Sequence, residues 1–111
     1  MLTTCNQKGY NKEKIGIVLP IKTFKHKGLK KFFDTGNKAG IQAAHAKRIG
    51  LILDLLNNAS SVRDMNFPGS DLHLLKGNLD GLYSVHVNGN WTIIFWFENG
   101  DASHVDLIDY H

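Results

Sequence analysis

A single cysteine, Cys5, occurs among the 111 residues, so no internal disulfide can form and folding must rest on an apolar core. That usage fits a reducing compartment, and we expect a cytoplasmic protein. No apolar run is long enough to span a bilayer. Residues 12–21 have a faint signal-peptide look, but Gly16 and Pro20 break the run and no small-residue cleavage site follows. A glycine-rich phosphate loop and a G-x-S-x-G turn are both missing, which argues against P-loop and serine-hydrolase chemistry. Repeats and low-complexity tracts are absent too. Acidic residues are scarce in the first part of the chain: residues 1–48 carry eleven Lys or Arg against two acids, and residues 49–111 carry two against eight. Such a basic half can attract a phosphate backbone, or can simply be a solvated lysine surface.

What the chain does contain is built around Asn90-Trp91-Thr92-Ile93-Ile94-Phe95-Trp96-Phe97, in which six of eight residues are aromatic or β-branched aliphatic. Both faces are mostly apolar, as a central strand requires. Residues 82–87 alternate upstream, and Asn88-Gly89 is a hairpin signal. A loop of about three residues would put Val85 and Val87 on the face of Trp91, Ile93 and Phe95, and would leave His86 opposite with Thr92. Residues 98–101 form a second turn, and residues 102–109 read as a further strand.

Upstream, residues 1–14 show no periodicity and read as a tail, residues 15–19 as a possible edge strand and residues 21–24 as the first strand proper. Residues 27–35 predict a short basic helix burying Leu29, Phe32 and Phe33 and stopping at Gly36. A longer helix starts between Asn37 and Gln42 and ends near Asn57, with Ile49, Ile52, Leu53 and Leu56 on its buried face. Lys47 and Arg48 remain on its outer side, available to water or phosphate. The expected domain is α+β: two N-terminal helices laid on one face of a small antiparallel sheet of three to five strands, with the other face partly open.

Chemistry would sit on that open face. The polar groups of interest are His73, Lys76, His86, Thr92, His104, Asp106, Asp109, Tyr110 and His111. His73 and Lys76 are three apart, so a regular strand would point them to opposite faces unless it bulges near Gly77. Asp106, Asp109 and His111 match no compact ligand spacing, and we expect no metal and no cofactor. Histidine, lysine and tyrosine can cleave a phosphodiester without one, through a base for the 2′-hydroxyl, positive charge for the phosphate and an acid for the 5′-oxygen.

Residues 21–29, Ile-Lys-Thr-Phe-Lys-His-Lys-Gly-Leu, then Leu72-His73-Leu74-Leu75-Lys76-Gly77, Gly89-Asn90-Trp91 and the terminal Asp109-Tyr110-His111, together resemble the HigB toxins of bacterial type II toxin–antitoxin modules, within the RelE superfamily. The resemblance covers residues 21–111 and leaves residues 1–20 as an extension. It implies a RelE-like fold and an mRNA endonuclease that acts in the decoding site of the 70S ribosome and is held inactive by a helix-turn-helix, HigA-like antitoxin. DNA would be met only through that antitoxin. The implied active site is His73, Lys76, Asp109, Tyr110 and His111, with Lys76 on phosphate charge, Tyr110 on the nucleotide and His111 in proton transfer. Lys25, Lys27, Lys30, Lys31, Asn88 and Thr92 would contact RNA. The chain departs from the family at Thr92, where an arginine is usual, which implies an attenuated enzyme or, alternatively, a RelE-fold module that binds antitoxin and ribosome without cutting.

Overall fold

The computed structural model describes residues 21–109; the expectations for residues 1–20 and for Tyr110 and His111 fall outside that range. Helices α1 (Lys27–Thr35) and α2 (Ala46–Asn57) precede strands β1 (His73–Leu74), β2 (Tyr83–Asn88), β3 (Trp91–Glu98) and β4 (Asp101–Asp109). The four strands form one antiparallel sheet in the order β1-β2-β3-β4. This is the expected α+β architecture.

Helix α1 starts at His26, whose Nδ1 accepts the amide of Leu29 at 3.0 Å, an N-cap role more often taken by Ser, Thr, Asp or Asn. It stops at Gly36, which has φ +80° and returns its amide to the carbonyl of Phe32, so the left-handed turn falls on the residue type that adopts it without steric cost. Helix α2 begins later than its pattern suggested, at Ala46 after a 3-10 turn over Ala43–His45. The preceding stretch crosses over α1 instead. A side-chain carbon on Gly28 would collide with the backbone of Gly40, so two glycines permit this contact and keep residues 37–42 from being helical.

The core lies between α2 and the sheet. Ile49, Ile52, Leu53 and Leu56 meet Val85, Val87, Ile93, Phe95, Ala102, Val105 and Leu107, and Leu29 joins them from α1. Each side chain of the Val or Leu class contributes roughly 1.5 to 3 kcal/mol when fully buried. Ser84 pairs with Ile94 and His86 with Thr92 on the other face. The face assignment is the expected one, but its cause differs in detail. The turn is Gly89-Asn90, two residues long, and the odd residue is a bulge at Val87 between the His86–Thr92 and Asn88–Trp91 pairs.

Residues 21–24 do not form the regular strand expected of them; only isolated parallel bridges link Ile21 to Ala102 and Phe24 to Val105. The reason is a second irregularity, in β4. His104 takes φ +54° and donates its amide to the hydroxyl of Thr23 at 2.8 Å, not to a backbone carbonyl, which interrupts the ladder. Residues 72–77 likewise give only a two-residue strand, closed by a 3-10 turn at Gly77–Leu79 where Gly77 has φ +74°.

Phe95 is fully buried and stacks near Tyr83 at 6.1 Å between ring centroids. Truncation to Ala should cost about 3 to 5 kcal/mol in denaturant unfolding. Lys76→Ala, at an exposed position, should move the same curve by no more than about 0.5 kcal/mol.

Candidate active site

The face of the sheet turned away from α2 carries a cavity of about 280 Å³, lined by Asp71, His73, Leu75, Ser84, His86, Gly89 and Thr92. Strand pairing explains the gathering. His73 sits opposite Ser84, His86 opposite Thr92, and alternation sends all four side chains to this face. Thr92 is buried and its hydroxyl donates to the carbonyl of Asn90 at 3.3 Å, so it forms part of the cavity wall and not of the helix-side core.

Two imidazoles with fixed orientation face this cavity. His73 Nδ1 lies 2.8 Å from the carbonyl oxygen of Asp71 and 3.4 Å from its carboxylate. The carbonyl can only accept, so we assign the Nδ1 proton to that contact and the free lone pair to Nε2. In His86 the arrangement is reversed: Nε2 donates to the carbonyl of Gly89 at 3.0 Å, which leaves Nδ1 as the uncommitted nitrogen. One nitrogen on each ring can therefore exchange a proton with a ligand.

The wall behind His86 is held by Arg48. Its Nη2 donates to the carbonyl of Gly69 at 2.8 Å and to that of His86 at 3.3 Å, and the guanidinium lies 5.3 Å from the centre of the Phe67 ring. The His86 amide in turn donates to the carbonyl of Ser70 at 2.8 Å. Arg48 is thus committed to tying α2, the segment before β1 and strand β2 together, contrary to the expectation that it was available for phosphate.

The other expected site residues are spread more widely. Lys76 is exposed, lies beyond the short β1 and is not among the cavity lining. Asn88 is exposed at the hairpin end, where it pairs with Trp91 and also does not line the cavity. Asp109 pairs with Trp91, on the helix-facing side of the sheet, and it makes contacts of its own. That side has a second concavity of about 290 Å³, whose walls include His26, Gln42, His45 and Trp91. Lys25, Lys27, Lys30 and Lys31 are exposed around α1, beside the β4 edge where Phe24 docks. From β1 to β4 is three strand spacings, about 14 Å, so these lysines stand at the opposite edge of the sheet from His73. Lys30 is also paired with Asp34 at 2.6 Å. Asp71 and Ser84 line the cavity without having been expected there, whereas His86 was expected on this face with Thr92, a signal the alternation around Asn88-Gly89 supplies, although it was given no role in the site. For Asp71 there was none, because its place depends on a positive φ of 49°.

Among the described residues, no group of three or more His, Cys, Asp or Glu side chains is placed to hold a metal ion. No helix among them is long and apolar enough to cross a membrane.

A family model described as the RelE-like toxin of type II toxin-antitoxin system HigB matches residues 22–111. The chain belongs to the HigB-like toxins. It is 42% identical over 91 residues to the endoribonuclease HigB of Proteus vulgaris, a match that covers 82% of this chain and 99% of that protein. A solution structure of a conserved hypothetical protein from Helicobacter pylori is similar at 16% identity, TM-score 0.47, over 81% of this chain and 92% of that one, a likeness too slight to argue from. For this HigB-like toxin, the cavity with its two histidines is the concave feature of the open sheet face that can carry acid–base chemistry.

Arg48→Met keeps the aliphatic stem but leaves the carbonyls of Gly69 and His86 without their charged donor. We expect a loss of about 1.5 to 3 kcal/mol in equilibrium unfolding. An unchanged unfolding curve would mean that Arg48 is not the tie described.

Proposed function

We propose that this toxin is an endoribonuclease that cuts mRNA on the bacterial ribosome, without a metal, and that a cognate helix-turn-helix antitoxin of the HigA type holds it inactive. The observation that carries the reading is the open-face cavity in which His73 and His86 each keep one nitrogen uncommitted. Family membership and the similarity to a protein named an endoribonuclease support it.

The chemistry follows from the tautomer of His73. Nε2 accepts the proton of a 2′-hydroxyl as that oxygen bonds to phosphorus; the bond from phosphorus to the 5′-oxygen breaks, and an acid gives the leaving oxygen a proton. A 2′,3′-cyclic phosphate and a 5′-hydroxyl result. His111 is our choice for the acid, with Tyr110 on the nucleotide and Lys76 meeting phosphate from outside the lining; Asp109, whose pairing with Trp91 turns it to the helix-facing side, would act by holding the chain end that carries the other two. Asp71 holds the His73 ring through its carbonyl and so keeps Nε2 turned to the ligand.

The need for the ribosome has an electrostatic basis. With both histidines neutral, the only formal charge among the lining residues is the carboxylate of Asp71, so the cavity alone attracts RNA poorly. A ribosome that holds the mRNA in place supplies the alignment that the cavity lacks, an effect worth up to several powers of ten in effective concentration. The same lack of a fixed cation favours a second reading, in which the chain binds antitoxin and ribosome and does not cut.

Expression without antitoxin should slow growth and leave mRNA 5′ ends that disappear when translation is blocked. His73→Ala should reduce those ends by roughly 100- to 10,000-fold, and Lys76→Ala by a smaller factor, with both variants still binding antitoxin. Growth arrest with intact mRNA would select the binding-module reading.

A further inference from the structure

We propose that His86 is a catalytic residue of this cavity: its imidazolium meets a non-bridging oxygen of the scissile phosphate and provides the positive charge that Thr92, its partner across the strand pair, cannot. This rests on the nuclease reading above and adds a residue to it.

Three observations lead there. His86 and Thr92 are directly paired on β2 and β3, so their side chains reach the same part of the cavity. Thr92 is neutral and buried, and its hydroxyl is turned back to the Asn90 carbonyl. The ring of His86 is pinned by the Gly89 carbonyl through Nε2, so protonation adds a second N–H, at Nδ1, without disturbing the first.

Among the described residues, and apart from Lys76, which lies outside the lining, no other group around the cavity can fill this role. From the β1 side come His73, engaged by Asp71, and the Asp71 carboxylate itself. From α2, Arg48 approaches only the backbone carbonyl of His86, behind the wall. From β3 there is Thr92, and from β4 Asp106, whose Oδ1 accepts the amide of Leu107 at 2.9 Å. Among the described residues lining the cavity, the two that can become cationic are the two histidines. His73 must be neutral to act as a base, so the charge on the phosphate falls to His86. A phosphate entering the cavity favours that protonated form, since an anion within a few ångströms stabilises an imidazolium.

The role is electrostatic, with no proton leaving His86, and that makes it separable from acid–base action. A positive charge returned from the other member of the pair should serve as well. Ribosome-programmed cleavage rates should fall about 10- to 150-fold for His86→Gln, the worth of one hydrogen bond from a charged group in the transition state. Adding Thr92→Arg to His86→Gln should recover most of that loss. Wild-type cleavage should fall as pH rises and the imidazolium deprotonates, and the double variant should lack that part of the alkaline decline, because its arginine stays charged. Melting temperature and antitoxin binding of His86→Gln should match the wild type, since the Arg48 contact is to backbone and glutamine can still donate to Gly89.

If His86→Gln cuts at the wild-type rate while His73→Ala is inactive, the cavity is the active site and the assignment of His86 is wrong. If both cut normally, the cavity is not the site and both readings fail. If the double variant folds, binds antitoxin and stays as slow as His86→Gln, the charge assignment is overturned.

Discussion

Between the His86–Thr92 and Asn88–Trp91 pairs the β2–β3 ladder takes in one extra residue, Val87, and this insertion sets Val85 opposite Ile93, so that the face of Val85 and Val87 joins Ile93 and Phe95 in the helix-side core. Without it, the Gly89-Asn90 turn would impose a strict two-residue alternation, and the residues on one side of the bulge would change faces. Val85, packed against α2 with Ile93, sets the face of His86 by being its neighbour. His86 in turn stands beside Thr92 because the same hairpin fixes the register. The geometry of the cavity is thus a consequence of core packing, and a change that relieved the bulge would cost buried valine area as well as displace a histidine.

Arg48 extends that constraint from the sheet to the helix layer. It is half-buried and bonds two carbonyls from segments 21 and 38 residues away in sequence. The Gly69 carbonyl is exposed and that of His86 partly buried, so the guanidinium stabilises the contact as a charge-assisted donor shared between two segments. Through Gly69 and the Ser70–His86 backbone bond, it also fixes the approach to Asp71, where a left-handed residue turns the chain into β1 and sets an acceptor beside His73. A charged residue that composition assigns to solvent or phosphate has become part of the framework that holds both imidazoles.

These dependencies explain what could be read in the sequence. The helix over residues 27–35, the hydrophobic face of α2 and the alternating strands were legible because each depends on local spacing. Even the alignment of His86 with Thr92 followed from placing Val85 and Val87 on the face of Trp91, Ile93 and Phe95. Illegible were the features decided by contacts distant in sequence: the crossing of Gly40 over Gly28 that delays α2, the Thr23 hydroxyl that interrupts pairing at His104, and the carbonyls that claim Arg48. The resemblance to HigB toxins pointed to His73 and Lys76 as a pair, but the pair spans a strand of only two residues, and Lys76 falls past its end. Family motifs carry residue identity well and say less about which neighbours complete a site.

The distribution of charge separates attraction from chemistry. Exposed lysines around α1 lie at the β4 edge, where they can draw in a polyanion over a Debye length of about 8 Å at physiological salt. The cavity runs from β1 across β2 to Thr92 on β3, its lining holds one carboxylate and two titratable rings, and none of those lysines is part of it. Lysines that reach it only through solvent are weakened by screening and do little for charge growing on a phosphate inside. Whatever stabilises the transition state must therefore be in direct contact with it. A histidine suits that task better than a buried permanent cation would in the free protein. An unpaired arginine among these residues would carry a desolvation cost before any substrate arrived, whereas an imidazole need be charged only while an anion is beside it.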